Sequence, residues 1–297
     1  MVSFIIPSYN SHETIVRALE SVFDLVGFRT GLHEVIVVDS SDDGITPAIL
    51  RSFDRPELNI ITLPQKTIPA TGRNIGAGKA NGDLLVFIDS DIYLDPGWLA
   101  AVTEVCKLGC QAGGGSVSIA PRQRTDMLAE AQQYLQFNEF LFPGRHGMKA
   151  FVPSCNMFCV RRLFEEAGGF PEVRASEDTL FFLKLQGKSA VWFVPQARSF
   201  HQFRSRWADL KHNQMLLGKY VAVYRRQYYQ NWMYRGLIPV LLLPGFLFVK
   251  LGRIIGRIFA SGPEHCLRFC YSLPVFMVGL GFWSRGFISG CSCHENS

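Results

Sequence analysis

The sequence predicts an α/β fold: a doubly wound, mostly parallel sheet followed by a C-terminal helical, membrane-associated segment. Three observations carry this. Strand and helix patterns alternate through the first ninety residues, short acidic clusters follow the β-branched runs, and the last third turns basic and apolar. With 48% apolar and 19% charged residues, a chain of 297 has a sizeable core, and global disorder is excluded.

Val2–Pro7 is an apolar run that stops at the turn Pro7-Ser8-Tyr9-Asn10. Ser11–Leu25 sets Ile15, Leu19, Val22 and Phe23 on one helical face, with Ser11 as the expected N-cap. Glu34–Asp39 holds Val-Ile-Val-Val, a run suited to burial on both faces of a parallel sheet. It ends in Asp39-Ser40-Ser41-Asp42-Asp43-Gly44, where Asp42 and Asp43 are expected to cap the helix Ile45–Phe53. Leu58–Leu63 is a third strand, Pro69–Ala80 a helix, and Leu84–Ile88 a fourth buried strand before Asp89-Ser90-Asp91. Polar clusters at strand ends place a ligand crevice at the carboxyl edge of the sheet. Further on, Pro96–Leu108 reads as a helix, Gly113–Ile119 as a strand, and Asp126–Phe142 as a helix with its connecting loop. Ser176–Gly187 is a helix capped by Ser176, Ala190–Val194 a strand, and Trp207–Tyr229 a helix rich in Arg and Tyr. The expected division is a domain of residues 1–202 and a basic, apolar region of residues 203–297.

The net charge of +5 hides an asymmetry. Residues 1–202 carry 18 Lys/Arg against 22 Asp/Glu, net −4, and residues 203–297 carry 12 against 3, net +9. Anionic lipid headgroups are the expected partner of the rear part; nucleic acid is not, because it would not require long aliphatic runs. No basic segment or cleavage pattern follows Met1, so the front domain is expected in the cytosol, at the inner face of the membrane. The eight cysteines fit that compartment as reduced thiols. Cys106/Cys110, Cys155/Cys159 and Cys266/Cys270 are spaced i, i+4 and Cys291/Cys293 i, i+2, which gives no zinc pattern.

Asp89-Ser90-Asp91 leaves a rigid strand end. Hard oxygen ligands at i and i+2 suit Mg²⁺ or Mn²⁺ held against a substrate diphosphate, with water completing the octahedron. Such an ion neutralises charge on a departing nucleotide. A solvated turn is the bland alternative; the place after the fourth strand of an alternating series favours the ligand. Asp39 ends the second strand alike, able to accept from a ribose hydroxyl or base N–H, or merely to cap the next turn. Ser176-Glu177-Asp178 offers a carboxylate for removing an acceptor proton, although acids in a first helical turn also complement the helix dipole. His201, in Ser199-Phe200-His201, suits a metal shell or a diphosphate contact, or a structural role.

In this order the pieces resemble glycosyltransferase family 2, a group of inverting enzymes with the GT-A fold. Val2-Ser-Phe-Ile-Ile-Pro-Ser-Tyr-Asn10 resembles its first strand and turn, and Glu34-Val-Ile-Val-Val-Asp39-Ser-Ser-Asp-Asp-Gly44 its nucleotide-binding stretch. Gly72-Arg73-Asn74-Ile75-Gly76 and Ala80-Asn81-Gly82-Asp83 lead into Phe87-Ile88-Asp89-Ser90-Asp91 as in that family. Arg161-Arg162-Leu163-Phe164, Gly168-Gly169-Phe170, Glu177-Asp178, Gly187, Val194-Pro195 and His201 follow in order, so the likeness covers about two hundred residues. The resemblance implies a nucleotide-sugar donor met by Pro7, Tyr9, Asp39, Arg73 and Asp89, and a divalent metal (Mg²⁺ or Mn²⁺) held by Asp89, Asp91 and His201. It also implies Asp178 as general base, Glu177 as an acceptor contact, and direct displacement with inversion at the anomeric carbon. Gln202-Phe203-Arg204-Ser205-Arg206-Trp207 departs from the Q-x-x-R-W box of processive members by one residue, so polymer synthesis is not implied.

Other motifs fail. Gly72 stands one residue too far from Gly78-Lys79 for a P-loop, and Ala80 replaces its Ser or Thr. No G-x-G-x-x-G follows the first strand, and the chain lacks the glycine-rich basic loop of a nucleotidyltransferase. A membrane adaptor of the same fold without turnover is the alternative from another class, and the joint presence of Asp89, Asp91 and Asp178 argues against it.

In the rear part, Gly236–Val249 and Phe269–Trp283 are uncharged runs of fourteen and fifteen residues, short of the roughly 20 that span hydrocarbon. Lys250, Arg253, Arg257 and Arg268 lie between them, against Glu264 alone. Two spans would put this basic stretch outside, against the positive-inside tendency. The expectation is an interfacial helix or re-entrant hairpin contacting the membrane through residues 236–283, with two short tilted spans as the alternative. The acceptor is accordingly expected to be lipid-linked, or a saccharide held at the membrane.

Overall fold

The computed structural model describes residues 1–229, 232–234 and 236–292; Cys293 lies outside them. In chain order the elements are β1 (Val2–Ser8), α1 (Ile15–Phe23), β2 (His33–Asp39), α2 (Ile45–Ser52), β3 (Leu58–Thr62), α3 (Pro69–Lys79) and β4 (Leu84–Ile88). There follow β5 (Ile92–Leu94), α4 (Trp98–Lys107), β6 (Ala112–Ile119), α5 (Met127–Phe137), β7 (Gly147–Lys149), β8 (Asn156–Val160), α6 (Arg161–Glu166), α7 (Glu177–Lys184) and β9 (Val191–His201). The rest is helical: α8 (Trp207–Tyr229), α9 (Ile238–Leu241), α10 (Leu243–Ser261) and α11 (Pro263–Ser292).

These elements form two compact units, residues 1–118 with 144–202, and residues 119–143 with 203–297. Residues 119–143, which the sequence pattern assigns to the front domain, thus belong to the second unit. The first unit is built on a sheet ordered β3-β2-β1-β4-β8-β6-β9-β5, with β7 on β9. The front half is parallel, as the strand–helix alternation predicts. The pairs β4–β8, β6–β8, β5–β9 and β7–β9 are antiparallel, so the sheet as a whole is mixed. Val35, Ile36, Val37 and Val38 are buried on both faces, the result expected of a β-branched run covered from two sides. Register opposes Ser8 to Asp39, which brings the ends of β1 and β2 to one edge.

A buried polar network fixes the antiparallel half. Trp98 Nε1 donates to Asn156 Oδ1 at 2.8 Å, and Asn156 Nδ2 donates to Ser116 O, Ala197 O and Ser199 Oγ. One side chain therefore ties α4, β6, β8 and β9 together, and each of its polar atoms is satisfied.

Local differences from expectation have local causes. Helix α1 starts only at Ile15: Thr14 stands before it with a non-helical φ of −127°, and the Ser11 hydroxyl pairs with Ser8 instead of capping the helix. Asp43 does cap α2, its Oδ1 accepting from Ile45 N and Thr46 N, while Asp42 accepts from Tyr9 and Asn10. Ser176 stands before α7 at φ 67° and makes no side-chain cap. Strand β9 runs eleven residues, past Pro195, since alternate residues Val191, Phe193, Ala197 and Ser199 stay buried.

In the second unit, α11 packs against α5, α8 and α10. It takes the fifteen-residue apolar run into one 30-residue helix, about 45 Å long. By length and composition Pro263–Cys291 suffices to cross a membrane. The described cysteines are free.

Helix α3 seats on β1 through glycine: a Cβ on Gly76 would lie 2.5 Å from Ile5 Cγ2. Gly76→Ala should lower stability by about 1–3 kcal/mol in urea unfolding; a change within about 0.5 kcal/mol would show that this close approach is not required.

Candidate active site

Arg73 stands on α3, just above the closely packed glycine, and its side chain is buried. Nη2 donates to Asp89 Oδ1 at 2.5 Å and Nη1 to Glu177 Oε1 at 2.8 Å. The guanidinium thus joins the carboxyl end of β4 to the first turn of α7. Burial disfavours its charge, yet the two carboxylates more than offset this and hold it protonated well above the usual range. Ser154 Oγ donates to the same Glu177 oxygen at 2.9 Å.

Two distant glycine motifs meet here. Asn74 Oδ1 accepts from Phe170 N at 2.9 Å, and its Nδ2 donates to Phe170 O at 2.8 Å. Gly169 lies at φ +69°, and a Cβ there would come 2.7 Å from Asn74 Oδ1, so this turn requires glycine. The clamp sets the Phe170 ring 5.6 Å from the Arg73 guanidinium carbon, in a cluster with Phe87, Phe164 and Phe181.

Asp178 follows Glu177, with Oδ1 receiving Thr179 N at 2.6 Å. Crowding by protein atoms raises its carboxyl well above the ordinary range, and the neighbouring Glu177 charge raises it further; Thr179 N–H, Arg73 and Ser154 N–H oppose this. The side chain still keeps part of its surface open to solvent. Cys155 is buried nearby, and burial, with Asp89, Asp91 and Asp178 around it, holds its thiol protonated.

Asp39 ends β2 fully buried. Its Oδ1 accepts from Ser8 Oγ at 2.9 Å and Ser41 Oγ at 2.6 Å, while Oδ2 has no hydrogen-bond partner among the described residues. A buried carboxylate oxygen left open calls for an N–H or O–H from outside the chain. Beside it, Tyr9 donates to Asp42 Oδ2 at 3.1 Å, and Lys66 Nζ lies 3.8 Å from the Tyr9 ring centroid. Pro7 lies on β1 between Ile6 and Ser8, opposite Val38.

Of the residues expected at a metal, Asp91 Oδ1 and His201 Nε2 lie 3.7 Å apart, held by the pairing of β5 with β9. Asp89, the third, has its Oδ1 bonded by Arg73. Among the described residues no three His, Cys, Asp or Glu form a ready metal cage. One carboxylate and one imidazole nevertheless suit an ion that takes its other ligands from a diphosphate and water. The sequence pattern did not single out Ser154, which carries no motif signal, nor the roles of Ser8, Ser41 and Asn74, although these three stand inside quoted motifs.

A mixed sheet with acidic residues at the ends of β2 and β4 and at the start of α7 is the GT-A architecture. A family model described as Glycosyl transferase family 2 matches residues 3–167, more than half of the chain, and the chain belongs to that family. It is 36% identical over 103 residues to the succinoglycan biosynthesis protein ExoO of Rhizobium meliloti, covering 35% of this chain and 29% of that protein. To Glycosyltransferase AglE of Haloferax volcanii it is 28% identical over 174 residues, covering 57% of this chain and 56% of that protein. The matches thus span under a third and just over half of these relatives. Mannosyltransferase PcManGT from Pyrobaculum calidifontis, solved with GDP-Man and Mn²⁺, matches with a TM-score of 0.62 at 18% identity, over 98% of this chain and 85% of that one. That likeness is one of fold.

The raised carboxyl of Asp178 has a consequence for stability. The folded chain keeps this proton to higher pH than the unfolded chain, so ionisation erodes stability as pH rises from the ordinary value of 3.8. Asp178→Asn removes that loss. In urea melts its stability relative to the native chain should grow from about pH 4 to about pH 8; a constant difference over that range would contradict the assignment.

Proposed function

We propose that the chain transfers a sugar from a nucleotide-sugar donor to a hydroxyl of a lipid-linked or saccharide acceptor held at the cytoplasmic face of a membrane, with inversion. The observation that carries this is the buried Arg73 bridge, which ties Asp89 on the donor side to Glu177 beside Asp178 on the acceptor side. Family membership and the shared GT-A fold support it, as do the GDP-Man and Mn²⁺ bound by the mannosyltransferase PcManGT.

The open oxygen of Asp39 receives a base N–H or ribose hydroxyl, with Pro7 and Tyr9 lining the same edge. Asp89 faces the donor, and Arg73 reaches the donor through it, since both of its terminal nitrogens are bonded to carboxylates. Glu177 orients the acceptor hydroxyl. Asp178 removes its proton as the new bond forms, and a carboxylate held above its ordinary range is the stronger base for that step. A single displacement with one base on the acceptor side gives inversion. Asp91 and His201 would hold Mg²⁺ or Mn²⁺, which when bound supplies Lewis-acid neutralisation of the departing diphosphate.

Membrane association is supported by the length of α11 and by the exposed Leu241, Phe248 and Phe259 along α9 and α10, which leave apolar surface beside a basic region. Free cysteines suit the reducing side of the membrane.

With a panel of nucleotide sugars and Mn²⁺, Asp178→Asn should lower kcat by about 10²- to 10⁴-fold and leave donor binding intact. Equal turnover would remove the base assignment, and no turnover by the native chain with any donor would favour a binding protein. In the same assay Asp91→Ala should lose Mn²⁺ activation; activation equal to the native chain would exclude Asp91 as a ligand.

A further inference from the structure

The second unit holds cations that its own acids do not balance. Each described acid there is engaged elsewhere: Asp126 caps α5, Glu130 and Glu264 pair with Arg268, Glu139 with Arg257, and Asp209 with Arg206. Arg225 on α8 and Lys250 on α10 have no carboxylate among the described residues. Both stand at the rim of one apolar cluster containing Ala222, Trp283 and Phe287, against which Tyr234 and Phe246 pack. Lys250 Nζ lies 4.3 Å from the Trp283 ring centroid, and Arg225 Nη1 donates to the Tyr234 hydroxyl at 3.3 Å.

We propose that Lys250, Arg225 and the Tyr234 hydroxyl form a binding site for a phosphate group. Two cations beside apolar rings are costly without a counter-charge, and a phosphate supplies one with acceptors for the Arg fork, the Lys point charge and the phenol. Burial, then the charges of Arg225 and Arg257, bring Lys250 down to about 8, whereas at Arg225 burial is more than offset by the Tyr224 and Tyr234 phenols. Lys250 keeps some surface open to solvent, and its chain neighbours Phe248 and Val249 are exposed, so a phosphate carried on an amphiphile can reach it. The site lies wholly on helices of the second unit and does not depend on sugar transfer.

The test uses the full chain, with flotation on phosphatidylcholine vesicles with and without phosphatidic acid, and thermal shift in inorganic phosphate. Selective binding to the phosphatidic acid vesicles identifies a headgroup; stabilisation by inorganic phosphate alone identifies a soluble source. Either supports the site if Lys250→Gln and Arg225→Gln each weaken the effect about fivefold and Lys250→Arg restores it. Lys211→Gln, on the exposed face of α8, should change it less than about twofold. No response to either probe, or an equal loss in Lys211→Gln and Lys250→Gln, would overturn the proposal, the latter by showing a diffuse basic surface.

Discussion

A guanidinium cannot stay buried without compensation, and the first unit is arranged around that constraint. Arg73 needs two carboxylates in fixed places, and it obtains them from the end of β4 and the start of α7. The close seat of α3 on β1, the Asn74 clamp on Phe170, and Ser154 on Glu177 serve the same placement. Breaking one partner would leave a buried charge exposed to its full desolvation cost, which makes the arrangement rigid as well as specific.

The same constraint explains the chemistry around it. Asp89, Asp91, Glu177 and Asp178 outnumber Arg73 at this edge, so negative charge is in excess. Burial, and then the adjacent Glu177 charge, make Asp178 hold its proton more tightly, and a carboxylate and an imidazole meet where Asp91 and His201 lie 3.7 Å apart. Asp39 adds a buried oxygen that nothing described in the chain satisfies. Under the proposed function each of these features has a ligand to meet, a diphosphate, a cation or an acceptor, in keeping with local imbalance placed where function requires it.

Much of this was legible in the sequence because strand ends are. The Val-Ile-Val-Val run fixes β2 by burial alone, and an acid directly after a buried strand has one place to go. The motif pairs Gly72-Arg73-Asn74 and Gly168-Gly169-Phe170 were visible, but their mutual clamp is a long-range contact with no periodic signal. Ser154 was missed for the same reason. The second unit was harder. Helix α5 is buried on nearly every face, with Ala129, Ala131 and Leu135 beside Gln132 and Gln133, so no amphipathic stripe assigns it to a partner. In α11, Arg268 and Arg285 bracket the apolar run and, read as sequence, mark its ends. Arg268 is paired with Glu130 and Glu264, so this charge does not end the helix.

The most direct measurement is a crystal structure of the chain with a nucleoside diphosphate and Mn²⁺, the ion located by its anomalous scattering. The account requires the manganese between Asp91 and His201, the diphosphate alongside Asp89, and Arg73 still bonded to Asp89 and Glu177. A nucleotide bound elsewhere on the chain, or an Arg73 that has left both carboxylates to grip the phosphates itself, would contradict it.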